Sequence, residues 1–504
     1  MADRVAVLGE DQAHEENSKP RPRGRLRWRP RVRPLGRGIP LASMGTPTAT
    51  ERRELAFAGV ARQAAMVREG EVTPRELVET ALDRIAALDP QLNAFRIVFA
   101  ERALREADEA GRRAAAGEDL PLLGVPIAVK DDTPVGGEVR VHGSNAHGDP
   151  EPVDAEFVGL LRAAGAIVIG ITRTPELAAW PFTETVHGGI TRNPWDLQRT
   201  SGGSSGGSAT AVAAALVPAA TASDGAGSIR IPAACCGLFG LKVTRGAITS
   251  APAQEIFGGL SVYGFLTRGV ADAALLYEVA TGRPYVAAAQ QDPPPLRIGL
   301  STKIPPGSSA RLTRDWRGAA ESTAELLRSL GHEVTEREPS IGPVGLNVVA
   351  RYLAGIDAEA RALAHPERLE RRTRRLARLG RAMARPAARA RRLQGADAAR
   401  VNAIFDEIDI LLGPTLPRSP LPVGRYEGRG AGYTLNGSLR FVPFNGVWNH
   451  LGNPAAAVPA GFDADGLPLS VQLVARHGEE ATLFSLAHQL EVARPWADAR
   501  PPVS

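Results

Sequence analysis

The feature that most constrains the fold of this chain is a repeated alternation of amphipathic helix and short apolar strand. Asp154 is placed to cap a helix with one apolar face, Gly165 ends that helix, and residues 166–172 (AIVIGIT) fit a buried strand. A second helix is predicted over residues 316–330. Further apolar runs, each suited to a buried strand, lie at residues 296–300, 408–412 and 469–474. The alternation predicts an α/β protein built on a large β-sheet.

Residues 351–400 depart from this pattern. They contain fourteen arginines against five acidic residues, have helical spacing and show almost no strand signal. We interpret them as a helical excursion over the sheet. Their charge is interpreted as that of a solvated surface, because arginine supplies nearly all the basic residues of the chain.

The excess of positive charge lies at the N-terminus. Of 60 basic and 55 acidic residues, ten basic and five acidic ones lie in residues 1–43, which leaves the remainder formally neutral. A neutral body offers no surface for phosphate neutralisation, so nucleic acid is not expected as a partner. Residues 1–43, rich in Arg and Pro, are expected to be a disordered tail or to precede a true start at Met44. Residues 44–504 are expected to form one folded domain.

The chain has no features of a membrane or secreted protein. No apolar run approaches the roughly 20 residues that span a bilayer, and residues 1–43 lack the apolar centre of a secretory signal. The two cysteines, Cys235 and Cys236, are adjacent, where a disulfide would be strained. These features predict a reducing, cytoplasmic location.

Lysine is rare in this sequence. Beside 56 arginines stand four lysines, at positions 19, 130, 242 and 303. Lys130 ends the apolar run GVPIAVK at residues 124–130, where burial would lower its pKa and make a neutral amine available as a base, a role that arginine cannot fill. The other interpretation is a lysine at a strand end that reaches solvent or pairs with Asp131 or Asp132.

Residues 201–208 (SGGSSGGS) form a loop that enters an alanine-rich segment. Its backbone amides suit an anion or an oxyanion. A phosphate-binding loop would end in Gly-Lys-Ser/Thr, and no lysine is present here. Residues 202–206 also fit the G-x-S-x-G turn of α/β-hydrolases, but that turn must follow a buried strand, and residues 191–199 do not fit one. The third interpretation joins this loop to Lys130 and a second serine.

The second serine is Ser228, in the segment SDGAGSIRIP at residues 223–232. Its glycines allow the backbone to turn tightly enough to direct successive N–H groups at one point, as an oxyanion hole requires. Alone, the segment would be interpreted as an ordinary turn.

Together these segments resemble the amidase signature family of serine hydrolases, which use a Ser–cis-Ser–Lys triad. The similarity extends over about residues 53–285 and 395–492. The matching motifs are GVPIAVKD (124–131), TRNPWD (191–196), GGSSGGS (202–208), DGAGSIR (224–230), CGLFGLK (236–242), GPTLP (413–417), NPAAAVPAG (453–461) and GLPLSVQ (466–472). The resemblance implies a large mixed β-sheet surrounded by helices, with residues 285–400 as a divergent, largely helical region on the substrate side.

The resemblance also implies the roles of the site residues. Ser228 would be the nucleophile, Ser204 the bridging serine after a cis Gly203–Ser204 peptide, and Lys130 the base. Neutral Lys130 would take the Ser204 proton while Ser204 takes that of Ser228, and water would later release the acyl group. The predicted oxyanion hole consists of the N–H groups of Gly225, Ala226, Gly227 and Ser228.

Two positions depart from the family's pattern. The family usually has Gly where Ala226 stands and Asn where Asp132 stands. Ala226 restricts the backbone, and Asp132 would favour the charged form of the base. Lys242 is expected to be structural, as are Asp224 and Arg230, whose opposite charges can hold the turn.

The implied activity is hydrolysis of the C–N bond of a small carboxylic amide without cofactor or metal, and a homodimer is the assembly considered. One alternative is the glutaminase-type subunit of a tRNA-dependent amidotransferase. That subunit usually carries an Asp seven residues before the Asn that Asn445 matches, and Ser438 stands there in this chain. The alternative of another class is a catalytically silent scaffold.

The aromatic residues Phe441, Phe444 and Trp448 suggest an apolar acyl or aryl group in the substrate, and core packing explains them equally well.

Overall fold

The computed structural model describes residues 49–253 and 255–504. The predicted tail, residues 1–43, lies outside the described residues.

Sixteen α-helices are present in the described part of the chain. In chain order they are α1 (Ala49–Phe57), α2 (Gly59–Glu69), α3 (Pro74–Leu92), α4 (Ala100–Ala115), α5 (Glu156–Ala163), α6 (Gly206–Ala213), α7 (Arg230–Cys236), α8 (Val270–Thr281), α9 (Tyr285–Ala288), α10 (Arg314–Ser329), α11 (Val344–Ala362), α12 (Arg371–Ala382), α13 (Ala384–Asn402), α14 (Ala431–Phe441), α15 (Gly446–Leu451) and α16 (Glu480–Ala493).

Fifteen β-strands are present in the same residues. They are β1 (Phe95–Val98), β2 (Pro126–Lys130), β3 (Ile167–Thr172), β4 (Glu184–Thr185), β5 (Gly189–Ile190), β6 (Arg192–Asn193), β7 (Asp196–Thr200), β8 (Ala219–Asp224), β9 (Phe239–Lys242), β10 (Val262–Thr267), β11 (Arg297–Leu300), β12 (Glu333–Glu336), β13 (Ile410–Pro414), β14 (Ala455–Phe462) and β15 (Pro468–Val474).

Eleven of these strands form one mixed sheet in the order β1-β3-β2-β8-β10-β9-β14-β15-β13-β11-β12. Strands β3, β2 and β8 are parallel, as are β13, β11 and β12, and the strands between these two groups pair antiparallel. The predicted α/β fold with a large mixed sheet surrounded by helices is confirmed. In addition to helices, residues 285–400 contribute β11 and β12 to this sheet.

The central strands are apolar and covered on both faces. Every residue of β2, β3, β8 and β10 is buried. This burial explains their continuous runs of apolar and small residues, which lack the alternation of a strand with one solvated face. Within the described residues, no helix is long and apolar enough to cross a bilayer.

Two local predictions are wrong. The Asp154 side chain does not cap α5; its carboxylate accepts a hydrogen bond from the N–H of Gly136 at 2.8 Å, which ties two loops together. Residues 191–199, predicted to contain no strand, hold β6 and most of β7. These two strands pair with each other outside the main sheet, and the exposed and half-buried residues of β7 account for its weak apolar signal.

Candidate active site

The site begins at the carboxyl ends of two parallel neighbours in the sheet, β2 and β8. Lys130 is the last residue of β2, and Ser223 precedes the last residue of β8. Because parallel strands end at the same edge of a sheet, these side chains meet there. The Lys130 amine donates to the Ser223 hydroxyl, with Nζ and Oγ 2.7 Å apart.

Ser204 reaches the same amine from the loop before α6. Lys130 Nζ donates to Ser204 Oγ at 2.8 Å, and the Gly203–Ser204 peptide is cis, as the resemblance implied. A Cβ on Gly203 would lie 2.5 Å from the carbonyl oxygen of Trp180, so only glycine allows this loop to approach so closely. The Thr174 hydroxyl donates to the Ser204 carbonyl oxygen at 2.9 Å and holds the loop from the other side.

Ser228 lies in the turn between β8 and α7. It is half-buried and lines a cavity of about 540 Å³ together with Gly203 and Ala226. Within the described residues its hydroxyl makes no hydrogen bond, so none joins it to Ser204. Catalytic hydrogen bonds in empty sites are often long and shorten when substrate binds. The structure thus joins Lys130 directly to Ser204 and places Ser228 at the adjoining cavity.

A buried ion pair shapes the turn that carries Ser228. Asp224 and Arg230 are both fully buried, and the guanidinium Nε and Nη2 lie 2.9 and 3.0 Å from the carboxylate oxygens. Burial favours the neutral acid, but Arg230 outweighs it and holds the pKa of Asp224 well below its usual range. The same carboxylate accepts the N–H of Gly227 at 2.6 Å.

This contact corrects the predicted oxyanion hole. The Gly227 N–H is occupied by the Asp224 carboxylate, so it is not free to bind an oxyanion. The N–H groups of Gly225, Ala226 and Ser228 have no hydrogen-bond partner within the described residues. Gly227 has a φ of 121°, whereas Ala226 does not have a positive φ. The alanine therefore occupies this turn without the backbone strain that its Cβ would cause in the left-handed region.

Asp132 lies against the lysine amine. Its Oδ2 is 2.9 Å from Lys130 Nζ, and it also accepts a hydrogen bond from the Ser223 hydroxyl. Lys130 has no exposed surface, and this burial lowers the pKa of its amine, while the Asp132 carboxylate partly opposes that effect. The balance leaves an amine that can lose its proton more readily than an exposed lysine.

Sequence reasoning assigned no role to Ser223. The signal that could have found it is strand alternation, since Thr221 and Ser223 are two residues apart on β8 and both contact Lys130. The Thr221 hydroxyl accepts the backbone N–H of Lys130 at 2.9 Å. The missing information was the pairing of β8 with β2.

The cavity beside Ser228 is mainly apolar. Its walls include Trp180, Ile231, Leu346, Val349, Tyr352 and Leu435. Among the described residues that line it, Arg440 is the one charged side chain, and its Nε donates to Ser309 Oγ at 2.8 Å. No carboxylate is present among them. The aromatic residues Phe441, Phe444 and Trp448 do not line this cavity.

The thiols and the possible metal ligands of the described residues do not form a further reactive site. Cys235 and Cys236 are free and buried, and burial raises the pKa of both thiols. No cluster of three or more His, Cys, Asp or Glu residues within this part of the chain could hold a metal ion.

Comparison with known proteins identifies the relatives of this chain. The sequence model of the family described as Amidase matches residues 76–484. The chain is 49% identical over 458 residues to a Mycobacterium bovis protein named "Putative amidase AmiB2", covering 90% of this chain and 99% of that protein. It is 35% identical to the 6-aminohexanoate-cyclic-dimer hydrolase of Paenarthrobacter ureafaciens, over 87% of this chain and 95% of that one.

Solved structures agree with the sequence comparison. A structure of 6-aminohexanoate cyclic dimer hydrolase complexed with substrate superposes with a TM-score of 0.82 at 32% identity, covering 89% of this chain and 99% of that one. The peptide amidase of Stenotrophomonas maltophilia superposes with a TM-score of 0.73 at 28% identity, over 88% and 98% of the two chains.

Proposed function

The chain belongs to the amidase signature family and is an amide hydrolase, and from this premise we propose that Ser228, Ser204 and Lys130 cleave the C–N bond of an uncharged, mainly apolar amide. The observation that carries the proposal is the direct contact between the Lys130 amine and the Ser204 hydroxyl, both fully buried, beside the cavity that Ser228 lines.

The contact between the Lys130 amine and Ser204 Oγ, 2.8 Å apart, serves the first proton transfer, and the second requires the Ser228 hydroxyl to approach Ser204 when substrate binds. Neutral Lys130 accepts the proton of Ser204, and Ser204 accepts that of Ser228, whose oxygen attacks the amide carbon. The N–H groups of Gly225, Ala226 and Ser228 stabilise the negative oxygen of the tetrahedral intermediate. The proton then returns through Ser204 to the departing nitrogen. Water repeats the sequence on the acyl-enzyme and releases the carboxylic acid.

The cavity supports an uncharged substrate. A free ammonium buried there would lack an opposite charge, and unpaired charges are costly to bury. Arg440, whose Nε donates to the neutral Ser309 hydroxyl, is the one described lining side chain that could pair with a carboxylate, and the other lining residues favour uncharged groups. The relative named for a 6-aminohexanoate cyclic dimer agrees with this class, since cyclisation of an amino acid dimer consumes both charged ends. We infer an amide with an apolar alkyl or aryl group.

The residues that line the cavity beside Ser228 also argue against the glutaminase alternative. Glutamine would bring an ammonium and a carboxylate into a cavity whose described lining residues include no acidic side chain. Ser438, at the position where that subunit usually has Asp, lines the cavity with a neutral side chain. The α/β-hydrolase interpretation is disfavoured because Ser204, the serine of that G-x-S-x-G pattern, is buried against the Lys130 amine, and the strand before it, β7, lies outside the main sheet.

Replacement of Ser228 tests the assignment. Ser228→Ala removes the nucleophile and is expected to lower kcat by about 10⁴-fold or more, with little change in thermal stability, because its hydroxyl makes no hydrogen bond to lose. The measurement is turnover of an alkyl and an aryl carboxamide by the purified full chain. The matched control is Ser308→Ala, which removes another hydroxyl from the same cavity and should stay active.

A covalent probe supplies an independent readout. A fluorophosphonate should label Ser228 of the wild-type chain, as located by peptide mapping, and should not label the Ser228→Ala variant. Labelling at Ser204 or Ser205 would show that the nucleophile lies in the loop before α6. A fully active Ser228→Ala variant would overturn the proposal.

A further inference from the structure

A second cavity, of about 210 Å³, lies behind the serine loop and contains polar and charged side chains. Its lining includes four basic side chains, Arg96, His147, Arg173 and His187, together with several threonines. Two of those threonines connect it to the loop. Thr174 donates to the Ser204 carbonyl oxygen at 2.9 Å, and Thr183 donates to the Gly202 carbonyl oxygen at 3.0 Å. The mechanism proposed above uses none of these four basic side chains.

The charges of this cavity do not cancel. Asp131 is its one acidic lining residue among those described, and it is already satisfied. Arg96 Nε lies 3.0 Å from its Oδ1, and the N–H groups of Val141 and Gly143 donate to the carboxylate at 3.3 and 3.2 Å. No carboxylate of the described residues contacts the Arg173 guanidinium, so its positive charge has no direct partner.

Arg173 has no partner for its guanidinium. In the described residues it forms no ion pair and no side-chain hydrogen bond, and its Nε is buried without an acceptor. The carboxylates of Asp89 and Asp131 act on it through the electric field alone. Asp89 accepts the N–H groups of Ala94 and Phe95, and Asp131 lies against Arg96. A half-buried guanidinium with free donors is a ready ligand for an oxyanion.

Two further hydrogen-bond donors complete the site. The Asn145 amide donates to Nδ1 of His187 at 3.0 Å, which leaves the ring proton on Nε2 as a donor. The Thr185 hydroxyl accepts the N–H of Gly188 at 2.7 Å and keeps its own proton free to donate. Both residues line the cavity with Arg173.

We propose that this cavity binds a small oxyanion, a phosphate or a short carboxylate, held by the Arg173 guanidinium with the His187 ring and the Thr185 hydroxyl. The volume suits an ion of this size, and the free groups are donors. Through Thr174 and Thr183, such an ion would lie directly behind the segment that positions Ser204. The inference does not depend on any step of amide hydrolysis.

The test measures binding on the inactive Ser228→Ala chain, so that turnover and product have no influence. Thermal unfolding is followed against inorganic phosphate, acetate and chloride at equal ionic strength. A saturable rise in Tm of several degrees at millimolar phosphate or acetate, absent with chloride, is expected, and the relative effect of the two oxyanions identifies the source. Equal rises with all three anions would overturn the proposal.

Variants locate the site. Arg173→Gln is expected to weaken oxyanion binding at least tenfold, whereas Arg105→Gln, which removes a charge from a 71% exposed side chain on α4, should leave it unchanged. His187 is exposed, so His187→Phe tests the site even if the Arg173 variant fails to fold, and a severalfold loss is expected. Affinity that stays at the wild-type value in both Arg173→Gln and His187→Phe would overturn the proposal.

Discussion

The regions around Lys130 and Lys242 differ in one respect that matters for chemistry. Both lysines end a central strand, both are fully buried, and burial lowers the pKa of both amines. Two serine hydroxyls and a carboxylate contact the amine of Lys130. The amine of Lys242 donates to the carbonyl oxygen of Val243 at 2.8 Å, and no side chain within the described residues hydrogen-bonds to it.

The comparison separates two requirements for a catalytic base. Burial supplies an amine that loses its proton readily, and both regions meet this requirement. Proton exchange also needs a hydroxyl within hydrogen-bond distance and a path to the substrate cavity. The region around Lys130 alone meets the second requirement. A buried lysine is therefore not by itself evidence of catalysis.

The largest expected effect comes from removing each amine in turn. Lys130→Met should lower kcat by about 10³-fold or more, in the range of a lost general base, whereas Lys242→Met should stay within about threefold of wild type because its amine contacts no reacting group. Both variants are assayed with the same apolar amide, and circular dichroism confirms that each is folded.

Retaining the charge sharpens this test. Lys130→Arg places beside Ser204 a guanidinium that cannot lose its proton and so cannot act as a base. This variant should be as inactive as Lys130→Met. An active Lys130→Arg enzyme, or an inactive but folded Lys242→Met enzyme, would remove the distinction between the two regions.

A smaller effect is expected from Asp132→Asn. The carboxylate stabilises the ammonium form of Lys130 and so raises its pKa, and a neutral amide removes that contribution. The lysine should then lose its proton at lower pH. The acid limb of the kcat/KM profile is expected to move to lower pH by about one unit.

The neighbouring carboxylate, Asp131, supplies a control in which a smaller shift of the acid limb is expected. Asp131 contacts Arg96 rather than the Lys130 amine, so Asp131→Asn should move the same limb less. The other titratable groups near the pair, Asp224, His142 and Arg140, are unchanged in both variants. A limb that moves to higher pH in Asp132→Asn would show that the carboxylate promotes the neutral amine.

Local sequence patterns were sufficient for much of the sheet. The apolar runs at residues 166–172, 296–300 and 469–474 correspond to β3, β11 and β15, because buried strands of this fold need continuous apolar residues. The contact that Asp154 makes in place of the predicted helix cap could not be inferred in the same way. Its actual partner, Gly136, lies 18 residues away, and only the folded backbone brings the two together.

The candidate site shows the same limit. The motifs predict Lys130, Ser204 and Ser228 as site residues, but they predict neither the contact of Ser223 with the lysine nor the occupied N–H of Gly227. Both depend on contacts that motif matching does not encode, namely the pairing of β8 with β2 and the position of the Asp224 carboxylate inside its turn.

The smallest expected effect is on the pH dependence of the free energy of unfolding, and it tests the lowered lysine pKa that the two regions share. The pKa of Lys242 is well below 10.5 in the folded chain, and the unfolded chain has a value near 10.5, so the unfolded state binds more protons between these two pKa values. The free energy of unfolding should therefore rise with pH across this window and fall as pH is lowered through it, by up to about 1.4 kcal/mol per pH unit.

The Lys242→Met variant should lose the part of this slope that Lys242 contributes, as measured by denaturant unfolding from pH 7 to 9.5. Lys130→Met should reduce it less, because Asp132 partly restores the charged form. Identical slopes in all three proteins would mean that both amines stay protonated when buried, and Lys130 could then not act as the base.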